Sequence, residues 1–218
     1  MTPGREQARL KPDFSLEAAM PGLVAGIDEA GRGPWAGPVA AGAAILRQDR
    51  LPDDLRQGLD DSKKLSHEKR ERLFQRLMEG EGDWVLLGVG WAEAGEIDRL
   101  NILQATFLAM RRALDALGVR PALALVDGNR PPPLPCPVQT VVKGDGKSLS
   151  IAAASILAKV SRDRRMAELA MAYPGYGWET NAGYGTPAHQ AALLRLGPTP
   201  EHRRSFRPVA QLVARDLL

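Results

Sequence analysis

Leu23-Val24-Ala25-Gly26-Ile27 is an apolar run that ends in two adjacent acids, Asp28 and Glu29, just before a Gly-rich turn, Gly31-Arg32-Gly33-Pro34. A short apolar run bounded by turn signals reads as a buried strand. Ionised carboxylates at the mouth of such a strand cost several kcal/mol each unless a cation pairs with them. The nearest cation in sequence is Arg32, while Asp127 and Asp145 bring further acids into similar settings. A bound divalent metal is the simplest compensating charge. This points to metal-dependent chemistry on a phosphate-bearing substrate.

Composition narrows the class. The 218 residues suit one sizeable domain, or one with a small appendage. Hydrophobic content of 44% and charged content of 25% match an ordinary soluble globular protein. A net charge of +3 agrees with a nucleic-acid partner if several acids are gathered at a metal, and equally with mere solubility. Cys136 is the sole cysteine, so an intrachain disulfide is excluded and a reducing compartment is expected. The first 20 residues lack a signal-peptide core, and no apolar stretch approaches the roughly 20 residues that cross a bilayer. A cytoplasmic protein is expected.

Along the chain, residues 1–20 read as a loose leader. Strands are expected at Leu23–Asp28, Val39–Leu46, Trp84–Trp91, Ala122–Asp127 and Val138–Val142, and residues 47–65 as a polar loop. Ser66 can cap a helix reaching about Glu79. Leu103, Phe107, Met110, Leu114 and Leu117 recur at helical steps within Asn101–Leu117, and Gly118 follows as a stop. An Ala-rich helix spans Ser148 to about Ala172. After a Gly/Tyr/Pro loop at 173–187 come a short helix from Ala188 and a C-terminal helix after Pro208. The expected fold is α/β, a mixed five-stranded sheet flanked by helices. Its catalytic domain would cover residues 21–172, with a helical subdomain at 173–218 covering the site.

Several chemistries compete for these residues. A dinucleotide site needs G-x-G-x-x-G after the strand, but here the spacing fails and Pro34 obstructs the helix. His67, His189 and His202 are far apart in sequence, and a cluster of oxygen ligands favours Mg²⁺ or Mn²⁺ over Zn²⁺. Divalent ions can activate water and stabilise a leaving oxygen in phosphodiester hydrolysis, given three or four carboxylates in one place. Asp28, Glu29, Asp127 and Asp145 can supply them. Strand neighbours point to opposite faces, so Glu29 is expected to reach the site only if the strand ends at or just before it. Asp127-Gly128-Asn129 alone reads equally as a plain turn. Lys63 and Lys64 fit either phosphate contacts or a solvated loop, and Lys143 and Lys147 bracket Asp145. Asp163, four residues after Lys159, reads as an intrahelical ion pair. Arg203 and Arg204 read as structural caps.

Gly26-Ile27-Asp28-Glu29-Ala30-Gly31-Arg32-Gly33-Pro34, with Gly37-Pro38, resembles the signature of the ribonuclease HII family, the type 2 ribonucleases H. Asp61-Ser62-Lys63-Lys64-Leu65-Ser66, Val126-Asp127-Gly128-Asn129 and Val142-Lys143-Gly144-Asp145 extend the resemblance. So do Ala153–Val160 with Arg162-Asp163, and His202-Arg203-Arg204-Ser205-Phe206, over about Gly22 to Val209. The resemblance implies a ribonuclease H-like fold with a C-terminal helical extension. It also implies metal-dependent endonucleolytic cleavage of RNA paired with DNA, including single ribonucleotides embedded in duplex DNA. The cut would fall 5′ of the ribonucleotide, leaving a 3′-hydroxyl and a 5′-phosphate.

By the same resemblance, Asp28, Glu29, Asp127 and Asp145 form the acidic set and Gly31, Arg32 and Gly33 contact the ribose 2′-hydroxyl. Tyr184 would lie against the next sugar; without the resemblance it reads as a packing tyrosine. Ala182 stands where the family commonly has a basic residue, which removes a candidate phosphate contact. The expected protein is a monomer using Mg²⁺ or Mn²⁺ on hybrids or ribonucleotide-containing DNA, with Lys63 and Lys143 as further substrate contacts. A non-cleaving hybrid-binding protein is the alternative. The ending Gln211–Leu218 resembles a sliding-clamp peptide faintly and reads more simply as an amphipathic helix.

Overall fold

The apolar runs form five strands, β1 (Val24–Ala30), β2 (Val39–Leu46), β3 (Val85–Ala92), β4 (Leu123–Asp127) and β5 (Val138–Val141), in a computed structural model describing residues 11–215. Their spatial order is β3-β2-β1-β4-β5. The pairs β1–β2 and β2–β3 are antiparallel, whereas β1–β4 and β4–β5 are parallel. This is the mixed five-stranded sheet expected from the strand pattern. Nine helices accompany it among the described residues: α1 (Ser15–Ala18), α2 (Asp53–Gly58), α3 (His67–Glu79), α4 (Ala94–Leu100), α5 (Ile102–Ala116), α6 (Leu149–Ala172), α7 (Trp178–Asn181), α8 (Pro187–Leu196) and α9 (Arg207–Arg215). None is long and apolar enough to cross a membrane.

Polar caps start the longer helices. Ser66 accepts from Lys69 N–H, Asn101 from Leu103 and Gln104 N–H, Ser148 from Ile151 N–H and Thr186 from His189 N–H. Each such cap contributes roughly 1 kcal/mol. The helix α5 covers one face of the sheet, where Ala105, Ala109, Met110 and Ala113 meet Ile27, Ala41 and Ala43. The helix α6 covers the other, with Leu149, Ile156, Leu157 and Val160 joined by Leu73, Phe74 and Leu77 of α3. Its first ten residues, 149–158, are all buried, so no single apolar stripe marks it. Gly26 and Gly42 allow this close approach: a Cβ on Gly26 would run into Ser150 backbone, and one on Gly42 into the Ala154 carbonyl. A third cluster joins Ala36, Met166 and Leu169 to Tyr176 of the following loop and to Trp178, Leu193 and Val209 of the C-terminal helices.

The structure departs from the expectation in short elements. The loop 47–65 contains α2, the segment before Asn101 contains α4, and the loop 173–187 contains α7. Each has at most seven residues, too few for a periodic stripe to show in sequence. The stretch read as a loose leader is anchored over its described part. Asp13 N–H donates to the Lys147 carbonyl and Leu149 N–H to the Asp13 carbonyl, each at 3.2 Å, while Phe14 enters the core. Buried Glu17 accepts from Ser148 Oγ at 2.6 Å and Ser150 N–H at 2.9 Å. It thereby sits at the start of α6, where the helix dipole favours an anion. Residues 1–10 lie outside the described part.

Candidate active site

The register of β1 builds the site. Its pairing with β4 stops at Ile27–Val126, whereas its pairing with β2 continues to Ala30–Ala40. Beyond the Ile27–Val126 step β1 has no further ladder pairing to β4, although β4 itself continues to Asp127, and a cleft of about 320 Å³ lies beside these strand ends. Asp28 and Glu29 line it together with Gly31, Arg32, Gly33, Lys63 and Tyr184. The strand does not end before Glu29, the condition read from strand alternation. Glu29 lines the cleft nevertheless, at a step where β1 has no ladder partner on the β4 side.

Asp127 closes β4 next to this gap, and its Oδ1 accepts from Gly144 N–H at 2.6 Å. That bond ties β4 to the 3-10 turn Gly144–Gly146, which carries the buried Asp145. Neither Asp127 nor Asp145 lines the main cleft; they flank it. Lys143, the other basic residue expected at the substrate, is exposed at a left-handed position (φ 55°) before the turn and lies outside the cleft lining. The structure thus gathers Asp28, Glu29, the Gly31–Gly33 turn, Lys63 and Tyr184 into one cavity, with Asp127 and Asp145 at its edge.

Mutual influence among the acids shows their proximity. Burial, then the Glu29 and Asp127 charges, push the Asp28 carboxyl well above its ordinary range, against hydrogen bonds from Ser155 and the Glu29 amide. Burial also raises Glu29, opposed by Arg32, whose Nη1 lies 3.3 Å from Glu29 Oε1. Asp145 is pushed up to about 6 by burial and by the Asp61 and Asp127 charges. Burial alone would lower the Lys63 ammonium, yet Asp28, Asp145, Asp61 and Asp127 together raise it. One exposed lysine thus faces four carboxylates. Like charges held together at partial burial favour a cation of higher charge.

The donor set is made of carboxylate oxygens, which suits a hard divalent ion such as Mg²⁺ or Mn²⁺. Among the described residues no three or more His, Cys, Asp or Glu side chains stand close enough together to hold a metal ion as they are placed here. The fit is one of charge and oxygen chemistry, with the acids standing around an open space.

Two buried arginines shape the turn beside the acids. Arg203 donates from Nε to the Gly37 carbonyl (2.9 Å), from Nη1 to that of Arg32 (2.9 Å) and from Nη2 to that of Gly31 (2.6 Å). In a trans peptide the N–H points opposite the C=O, so the Arg32 and Gly33 amides face away from Arg203. Arg162 donates to the carbonyls of Pro38 (2.9 Å), Ala182 (3.0 Å) and Ala36 (3.3 Å). A Cβ on Gly31 (φ 92°) would occupy the place of the Arg162 guanidinium. Burial lowers Arg162 to about 10 and Arg203 to about 9, so both stay charged at neutral pH.

Five contributors have no site role in the sequence analysis. Ser62, Ser155, Lys159 and Arg162 line the cleft, and Asp61 faces Asp145, although all five lie in motifs that were recognised. Motif membership was their only signal, because the partners are distant in sequence: Ser62 Oγ and Ser155 Oγ are 2.8 Å apart across 93 residues. Arg203, read as a cap, is a brace for the turn. The expected Lys159–Asp163 pair is present at 2.8 Å.

A family model described as Ribonuclease HII matches residues 25–209. The ribonuclease HII of Paramagnetospirillum magneticum is 64% identical over 200 residues, covering 92% of this chain and 98% of that relative. Among solved structures, the ribonuclease H2 from Pyrococcus horikoshii OT3 superposes with a TM-score of 0.73 at 29% identity, covering 88% of this chain and 98% of that one. The ribonuclease HII from Archaeoglobus fulgidus, solved in complex with PCNA, gives 0.65 at 26% identity, over 83% of this chain and 93% of that one.

Proposed function

Since the chain belongs to the ribonuclease HII family, and is an endoribonuclease of the type 2 ribonuclease H class, we propose that its cleft cuts the RNA strand of RNA–DNA hybrids and cuts 5′ of single ribonucleotides in duplex DNA. The products would carry a 3′-hydroxyl and a 5′-phosphate. The observation that carries this reading is the meeting of Asp28 and Glu29 with the Gly31–Gly33 turn and Tyr184 in one cleft. Family members act with divalent metal ions, and Asp28, Glu29, Asp127 and Asp145 would hold them here. When bound, such ions supply an activated water and stabilise the leaving oxygen.

The remaining chemistry belongs to the chain itself. The Arg32 and Gly33 amides, turned outward by Arg203, recognise the ribose 2′-hydroxyl, the group that separates RNA from DNA. Tyr184, 48% exposed, lies against the following sugar and favours a deoxyribose there, because a 2′-hydroxyl would obstruct the ring. Lys63 offers its ammonium to the backbone phosphate at the acidic cluster, and Lys143 offers a more peripheral contact. Family membership favours cleavage over the non-cleaving alternative.

The domain reading stays with this proposal: a catalytic unit over 21–172, and helices after 173 that bring Tyr184 to the cleft. The protein acts as a monomer. The PCNA complex of the A. fulgidus relative is the one support for a clamp contact at the C-terminus. Against it, Leu212 packs on the Val209 cluster; residues 216–218 of the clamp-like ending lie outside the described part.

The test is cleavage of a duplex holding one ribonucleotide, titrated with Mg²⁺ and Mn²⁺. Asp28→Asn and Asp127→Asn should each lower kcat on the order of 10³-fold, the scale of several kcal/mol of charge stabilisation. Wild-type rates in either variant would remove the acids from the mechanism.

A further inference from the structure

His189 and His202 are buried at 0% and 1% exposure and take no part in the cleft lining. Their ring nitrogens form a hydrogen-bond chain whose direction is set by donors that cannot accept. Thr199 N–H donates to His202 Nδ1 at 3.0 Å, so that nitrogen carries no proton. The proton of a neutral His202 then sits on Nε2, 3.2 Å from His189 Nε2. Trp178 Nε1–H, a donor only, meets the same His189 nitrogen at 3.1 Å. His189 Nε2 is thereby unprotonated, and its single lone pair is shared between the two donors. Its own proton lies on Nδ1, which donates to the Tyr184 carbonyl at 2.9 Å. Burial holds both imidazoles below their ordinary range, His202 at about 4, which keeps them neutral.

The chain ends on the residue proposed to read the substrate. The Tyr184 carbonyl also accepts from Thr186 N–H at 2.8 Å, and its N–H donates to the Asn181 carbonyl at 2.9 Å. The ring projects into the cleft half exposed, so its place is set by its backbone. Filling the same volume with apolar side chains would avoid burying four ring nitrogens. Such a core would leave the Tyr184 carbonyl with one bond fewer. We propose that His189 and His202 are positioning residues that hold the Tyr184 backbone through a directed proton chain, and so set the preference for a deoxyribose after the ribonucleotide; this rests on the Tyr184 reading above.

The experiment compares kcat/KM on a duplex with one ribonucleotide and on a hybrid with an all-RNA strand. Wild type, Tyr184→Ala, His189→Leu and His189→Asn are measured on both. His189→Leu should reduce the junction preference roughly three- to tenfold, the effect of one lost hydrogen bond. His189→Asn, whose amide can donate to the Tyr184 carbonyl, should recover most of it. Nitrogen-15 NMR of the wild type should find His189 protonated on Nδ1 and His202 on Nε2, which tests the direction of the chain even if a variant fails to fold. The opposite tautomers overturn the proposal. So does an unchanged preference in His189→Leu when Tyr184→Ala has lost it. If Tyr184→Ala keeps the preference, the Tyr184 reading itself falls and takes the proposal with it.

Discussion

Asp28 is a buried carboxylate beside two others, and removing its charge has opposite effects on activity and stability. Its carboxyl is raised by burial and by Glu29 and Asp127, so the ionised form is disfavoured in the metal-free protein. Asp28→Asn should therefore raise the metal-free Tm at pH 8 even as it lowers kcat; a lowered Tm would mean that the charge is already compensated. The glycines of the turn separate in the same way. Gly31 needs its positive φ and the absence of a Cβ against Arg162, so Gly31→Ala should destabilise by about 1–3 kcal/mol or more in urea unfolding. A Cβ on Gly33 would meet only Tyr184 Cε1, at 3.5 Å. Gly33→Ala should thus leave the Tm within a degree or two, yet lower kcat/KM at a ribonucleotide by roughly tenfold, the scale of one displaced contact. Unchanged kcat/KM would take the turn out of ribose recognition.

At the scale of elements, α6 connects the core to the chemistry. Its buried first half lies on Gly26 and Gly42, Ser155 bonds to Asp28, and Arg162 holds the carbonyls of Ala36, Pro38 and Ala182. Gly42→Ala would push a methyl into the Ala154 carbonyl at the centre of this contact. The expected cost is about 1–3 kcal/mol, with a fall in kcat as α6 shifts, read from urea unfolding and steady-state cleavage together. Lost stability at full activity would show that α6 can move without disturbing the acids. The small residues of α6 are visible in sequence as an Ala-rich stretch. Their reason lies in the distance between helix and sheet, which no periodicity reveals.

For the whole molecule, the loops between the C-terminal helices are joined to the β1–β2 loop by main-chain hydrogen bonds. Trp35 N–H donates to the Gly183 carbonyl at 2.8 Å, Arg203 N–H to that of Trp35 at 2.8 Å, and Gly37 N–H to that of Glu201 at 2.9 Å. The neutral His189–His202 pair lies inside this assembly and links it to pH. An unfolded histidine titrates near 6.5, whereas burial and the neighbouring His189 hold folded His202 at about 4. Between these values the unfolded chain binds a proton that the native state does not. The contribution is fully present above the unfolded value and is lost as pH falls toward about 4. Asp28 and Asp145, raised in the native state, act in the opposite sense. The His202 part is therefore read as the difference in unfolding midpoint between wild type and His202→Gln. That difference should shrink from pH 7 to pH 5, and a constant one would contradict the linkage.

The sequence alone determined where chain direction and local hydrogen bonding change: the five strands, the capped helices α3, α5 and α6, and the acids at the ends of β1 and β4. These follow from side-chain period and cap chemistry within a few residues, which are local properties. Only the tertiary structure decided that the β1–β4 pairing stops one step short of Asp28, that Asp61 faces Asp145, and that Arg203 turns the Gly31–Arg32 carbonyls inward. It also brought His189 and His202, far apart in sequence, into one chain ending on Tyr184. Register between strands and the meeting of distant loops depend on how two cores close around a single sheet, and spacing along the polymer carries no direction for a side chain.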